Sequence, residues 1–152
     1  MTKHITIGFF STLVLIVSCR PEKDKRSSAL NQYLVEQYQT EIPDSTHFFI
    51  VLSSAACSGC VYKTLDWAQK DSLNDNVTCV HLIQGDRSSS VNMKGSSQIL
   101  TGDFLDASKY DFYAGGVTIF RTHKGTIDTV IYPTFQNIRT VLSEQGILKN
   151  GH

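Results

Sequence analysis

The sequence has no excess of charge of either sign, with 14 basic residues against 14 acidic ones in 152. That balance gives no broad basic surface for a phosphate backbone, and nothing in it points to nucleic acid. The chain also lacks an apolar run long enough to cross a bilayer. Ile5 to Val17 is mostly apolar but spans only 13 residues and is diluted by Thr6, Gly8, Ser11 and Thr12. At about 1.5 Å per residue it falls well short of a roughly 30 Å hydrocarbon core, so a permanent transmembrane helix is not expected there. No internal repeat is visible. Cysteine is scarce, at four residues, and the positions of Cys19, Cys57, Cys60 and Cys79 carry most of the functional reading.

A positive residue, Lys3, precedes the apolar stretch, which is the profile of an export signal. The stretch ends in Ile16-Val17-Ser18-Cys19, which resembles the lipobox of bacterial lipoproteins, and the polar run Arg20 to Arg26 follows. The resemblance implies cleavage before Cys19 and a lipid on that cysteine, which would anchor the chain to a membrane. Arg20 stands where an aspartate would resemble an inner-membrane retention signal, so the expected location is the outer membrane, facing the periplasm. The alternative is an ordinary secretory signal with a chance cysteine. Taken as a lipoprotein, the chain divides into a signal peptide over 1–18, a charged, serine-rich tether over 19–28 and one domain over 29–149. Loss of residues 1–18 leaves 134, enough for one real core, with a net charge of about −1.

Within the domain, Leu30, Tyr33, Leu34 and Tyr38 form the stripe of an amphipathic helix ending near Pro43. His47 to Ser53 is a continuous apolar run, as expected of a central strand buried on both faces. Cys57-Ser58-Gly59-Cys60 comes next, then a helix marked by Val61, Leu65 and Ala68 that runs to about Lys70. Asn76 to Gln84 reads as a second strand, and strand, helix, strand in this span is a parallel crossover. Gly85 to Ser97 reads as a long polar loop, and 98 to 113 as including a short irregular helix around Asp103 to Lys109. Val117 to Thr122 and Thr126 to Tyr132 form a hairpin closed by His123-Lys124-Gly125. Thr134 can cap a last helix that buries Phe135, Ile138, Val141 and Leu142 and stops at Gly146.

A cysteine at a helix N-terminus sits near unpaired N–H groups and about half a positive charge, which stabilises its thiolate. Cys57 has that position. Cys60, one turn further in, is shielded and placed to attack a mixed disulfide formed on Cys57. The element order over 28–148, the apolar strand running into Cys57 and Cys60, and the strand Gly115-Gly116-Val117-Thr118-Ile119-Phe120 with its Lys124-Gly125 turn together resemble the thioredoxin fold. The resemblance implies an α/β domain with a mixed central sheet and helices on both faces. It also implies Cys57 as nucleophile, Cys60 as resolving thiol, and a substrate groove at Gly116, Val117 and Thr118. The protein partner would exchange thiols and disulfides with the pair, and no dissociable cofactor would be needed. This chain departs from the family in having Ala56 where an aromatic precedes the first cysteine, Val117 where a cis-proline faces the pair, and no acid in the strand Phe48 to Leu52.

Two other readings of the pair stay open. One is a binding or scaffold lipoprotein that keeps a structural disulfide without turnover. The other is a metal carrier recruiting Cys79 and His81, which share one face of a strand, as zinc or copper ligands. A lone cysteine inside a sheet is ordinarily a small core residue, and that is the expectation for Cys79. Trp67 and Tyr62 are expected to pack on the sheet, Lys63 and Asp66 to form the wet face of their helix, and His47 and His123 to face solvent at element ends. Gly116 is expected to allow close backbone approach beside the cysteines.

Overall fold

A computed structural model describes residues 22–53, 57–70, 72–84, 98–113 and 115–149. The expected export signal, Cys19, Ala56 and the expected loop Gly85 to Ser97 lie outside the described residues. The elements are α1 Glu22–Tyr38, β1 His47–Ser53, α2 Ser58–Gln69, β2 Val77–Ile83, β3 Gln98–Asp103, α3 Phe104–Ala107, β4 Val117–His123, β5 Thr126–Ile131 and α4 Ile138–Glu144. They build an α/β domain around one five-stranded mixed sheet in the order β3-β2-β1-β4-β5. No helix among the described residues is long and apolar enough to cross a membrane.

β1 is central because its run Phe48 to Leu52 has no polar side chain to place in water, and every one of those residues is buried. It pairs parallel with β2, Ile50 opposite Cys79, and antiparallel with β4, Leu52 opposite Val117. Side chains alternate across the sheet, so each strand supplies two cores. On one face Phe48, Ile50, Leu52, Cys79 and Ile119 pack with Cys60, Val61 and Ala68 of α2 and Ile138 and Leu142 of α4. On the other, Phe49, Val51, Val80, Leu82 and Phe120 pack with Leu30, Tyr33 and Leu34 of α1 and with Ala107 and Phe112. Helices thus cover both faces, as expected.

The hairpin turn has φ of 51° at Lys124 and 71° at Gly125, two left-handed residues in succession, which is the backbone of a type I′ turn. α4 stops at Gly146, whose φ is 65°. The chain then folds back: Leu73 and Leu148 form an isolated bridge, and the Lys149 N–H donates to the Ser72 carbonyl at 2.8 Å.

Four expectations change. Residues 98–103, for which no strand was expected, form β3, lying parallel to β2 with Cys79 opposite Ile99. The short helix that follows begins at Phe104, and the Asp103 carboxylate accepts from the Leu105 and Asp106 N–H groups at its N-cap. α1 begins at Glu22, inside the segment read as a tether, because it is anchored before its apolar stripe starts. Ser27 is buried, and its Oγ accepts the Ile127 N–H at 2.8 Å on the open edge of β5. α1 also ends at Tyr38, not near Pro43, where Gln39 turns left-handed at φ 55°. His47 is half-buried rather than exposed, with Nε2 2.8 Å from Thr78 Oγ1 and burial lowering its pKa.

Candidate functional site

The parallel β1-α2-β2 crossover places the first turn of α2 at the end of β1, and both cysteines of the Cys-x-x-Cys sequence sit on that turn. Cys57 is the N-cap residue, with φ −51° and ψ 111°, and its carbonyl accepts the Cys60 and Val61 N–H groups at 3.0 and 3.2 Å. Cys57 is exposed, Cys60 is 2 % exposed, and both are free thiols. Thr64, one turn on, is buried and donates its hydroxyl to the Cys60 carbonyl at 2.9 Å.

The two thiols are pushed in opposite directions. The Cys57 side chain makes no full capping hydrogen bond, yet the first N–H groups of the helix lie beside its sulfur. The Cys60 N–H chiefly, then the Cys60 thiol, stabilise the Cys57 thiolate and lower its pKa against a desolvation cost, with the Gly59 N–H adding less. Burial first, then the Cys57 hydrogen bond and charge, raise the pKa of Cys60, and Lys63 works the other way. An exposed sulfur whose thiolate is favoured beside a shielded one whose thiolate is disfavoured is the division of labour that dithiol exchange requires.

Of the residues expected to line a substrate groove, Gly116 is exposed, whereas Val117 and Thr118 are buried. Thr118 pairs with Val51, and its hydroxyl turns back to the Gly115 carbonyl at 3.4 Å. Gly116 does not serve close approach: a Cβ built there would meet nothing within 4 Å, and its φ of 73° is what calls for glycine. Tyr113 braces this corner, its hydroxyl donating to the Gly116 carbonyl at 2.7 Å and also bonding Ser53 at the end of β1.

Cys79 lies in the core at 0 % exposure, and burial pushes its thiol up to about 12. This is the packing role expected for it. His81 is half-buried, with its pKa lowered by burial. Among the described residues no group of three or more His, Cys, Asp or Glu side chains is placed to hold a metal ion, so Cys79 and His81 are not gathered with the pair as a ligand set.

Two aromatics depart from expectation. Tyr62 is 80 % exposed rather than packed on the sheet, while Trp67 on the same helix does pack against the core. Phe135 is not in the core either. Its ring lies against the cysteine motif, so that a Cβ on Gly59 would come within 2.7 Å of its Cε2, and Lys63 Nζ stands 4.2 Å from its centroid. No local sequence signal marks that contact, since Phe135 belongs to the β5-α4 connection. Comparison with family models, with curated proteins and with solved structures finds no match to this chain.

Proposed function

We propose that the chain is a lipid-anchored, thioredoxin-like thiol–disulfide oxidoreductase of the bacterial envelope, exchanging electrons with a protein partner through Cys57 and Cys60. The observation that carries the reading is the pairing of an exposed, thiolate-favouring Cys57 with a buried, proton-holding Cys60 on one helical turn at the end of a central strand. The strand order with parallel β1 and β2 and antiparallel β4 and β5 supports the thioredoxin-like assignment. The lipobox-like Ile16 to Cys19 supports the anchor on Cys19 and a periplasm-facing outer-membrane location.

In the reducing direction, the Cys57 thiolate attacks one sulfur of a partner disulfide. A Cys57–partner S–S bond forms, and the other partner sulfur leaves as a thiolate that takes a proton from water. Cys60 then gives its proton to water and attacks the Cys57 sulfur. The Cys57–Cys60 bond forms, the Cys57–partner bond breaks, and the second partner sulfur leaves and is protonated. Two electrons have passed from the thiol pair to the partner, and the reverse sequence oxidises a partner dithiol. Gly116 and the backbone at Val117 and Thr118 are the proposed partner-strand contact.

A trapping experiment tests this. With disulfide-bonded insulin as partner and Cys19→Ser in the background, the Cys60→Ser variant of the full chain should accumulate an intermolecular disulfide that reductant dissolves, and Cys57→Ser should not. Equal trapping by both variants, or by neither, refutes the assignment of roles. Incorporation of labelled palmitate in a bacterial host, abolished by Cys19→Ala, tests the anchor separately.

A further inference from the structure

The proposed function requires buried Cys60 to lose a proton, yet β1 carries no acid to receive it and the first turn of α2 has no acidic residue. We propose that Lys63, held against the first turn of α2 by the ring of Phe135, is the positioning residue of the resolving step, its charge favouring the Cys60 thiolate that attacks the mixed disulfide. The inference rests on the dithiol-exchange reading of the pair.

Lys63 follows Cys60 by three positions and Gly59 by four, so all three share one face of α2. Helical side chains lean toward the N-terminus, which carries the Lys63 stem toward the cysteines. A cation there opposes the helix dipole, and a free lysine would extend into water. The Phe135 ring offsets both effects. It occupies the space above Gly59, where any side chain would come within 2.7 Å of it, and it takes the ammonium at 4.2 Å from its centroid. Asp66, the acid one turn further on, is bound to Lys70 at 2.8 Å.

The effect falls on the right sulfur at the right moment. In the resting pair, Cys60 is held protonated by burial and by its hydrogen bond and repulsion from Cys57, and Lys63 opposes them. Once Cys57 is bound to a partner it carries no charge, so the influence of Cys57 disappears and burial alone opposes Lys63. Among the described residues, the apolar cluster that includes Cys60 holds one other thiol, Cys79, neutral through burial, and the buried Thr64 hydroxyl bonds the Cys60 carbonyl. The Cys57 thiolate is favoured chiefly by the Cys60 N–H and thiol, whereas Lys63 acts on Cys60, so loss of Lys63 should weigh on the resolving step more than on attack on the partner.

The test follows the two steps separately. The full chain carrying Cys19→Ser and Cys79→Ser is mixed in reduced form with dithiobis(nitrobenzoate), which releases one coloured thiolate when Cys57 attacks and a second when Cys60 resolves. Lys63→Met should slow the second release about three- to five-fold at neutral pH, the size expected of one exposed charge. It should also move the pH midpoint of that phase upward and slow the first phase less. Lys63→Arg should restore the rate, and Phe135→Leu should slow the second phase in the same direction. An unchanged second phase, equal slowing of both phases, or failure of arginine to rescue overturns the proposal. Absence of a second release without any Lys63 change overturns the exchange reading itself, and is seen before any Lys63 variant is made.

Discussion

Cys79 gives the most quantitative prediction, because its environment is extreme and its chemistry simple. The thiol is fully buried between β1 and β3, opposite Ile50 and Ile99, and its pKa stands at about 12. In the unfolded chain the same thiol titrates near 8.5. A folded pKa raised above the unfolded one means that the stabilising contribution is complete below about pH 8.5 and declines as pH rises toward about 12. Each pH unit in that window costs about 1.4 kcal/mol, so at about pH 10.5 the folded state should have lost about 3 kcal/mol on this account alone. Tyr110, Tyr113 and Lys109 have raised pKa values and also titrate in alkali, so the test is a difference. Urea unfolding of the reduced protein at neutral and alkaline pH, for the unsubstituted chain and for Cys79→Val, isolates the contribution. Valine is a near match in size and has no proton, so the variant should lose about 3 kcal/mol less between the two conditions. Equal alkaline loss in both proteins would show that Cys79 is reached by water or ionises in place, and would refute its assignment to the core.

Three further outcomes are expected. Ser27→Ala leaves the buried Ile127 N–H without its acceptor at 2.8 Å and should cost about 1–3 kcal/mol in urea unfolding; a change near zero would mean that α1 does not hold the edge of β5. Lys124→Asn places a residue tolerant of positive φ at 51° beside Gly125 and should raise stability by about 0.5–1 kcal/mol, whereas a loss would contradict the type I′ turn. In pH-dependent alkylation by iodoacetamide, Cys57 should react below the ordinary thiol range, and Cys60→Ser should shift its midpoint because a thiol neighbour is replaced by a hydroxyl. Faster labelling of Cys60 than of Cys57 would reverse the proposed roles.

Much of this architecture can be read from local pattern. The run Phe48 to Leu52 has no wet face and therefore lies at the sheet centre, and Ile138 and Leu142 mark the buried side of the last helix as their spacing requires. The Cys57 and Cys60 pair is legible because three-residue spacing after a strand puts both sulfurs on one helical turn. β3 is not legible, since Gln98 to Asp103 is short, contains Gly102 and does not alternate cleanly; it becomes a strand because the free edge of β2 accepts it. Tyr62 and Phe135 mislead for a different reason. Helical periodicity identifies a stripe but not its limits, so an aromatic near a core face is credited to the core when it stands at the rim. The Lys63 and Phe135 contact joins a helix and a connection distant in sequence, and only the packing of the β5-α4 segment on Gly59 reveals it.

The central claim is that Cys57 and Cys60 form a working exchange pair rather than a structural staple. The direct test is the reduction potential of that pair in the full chain, titrated against glutathione with Cys19→Ser and Cys79→Ser in the background. A reversible value between about −120 and −270 mV is the expected result and would place the pair among exchange catalysts. A value below roughly −300 mV, or a pair that never closes, would contradict the account.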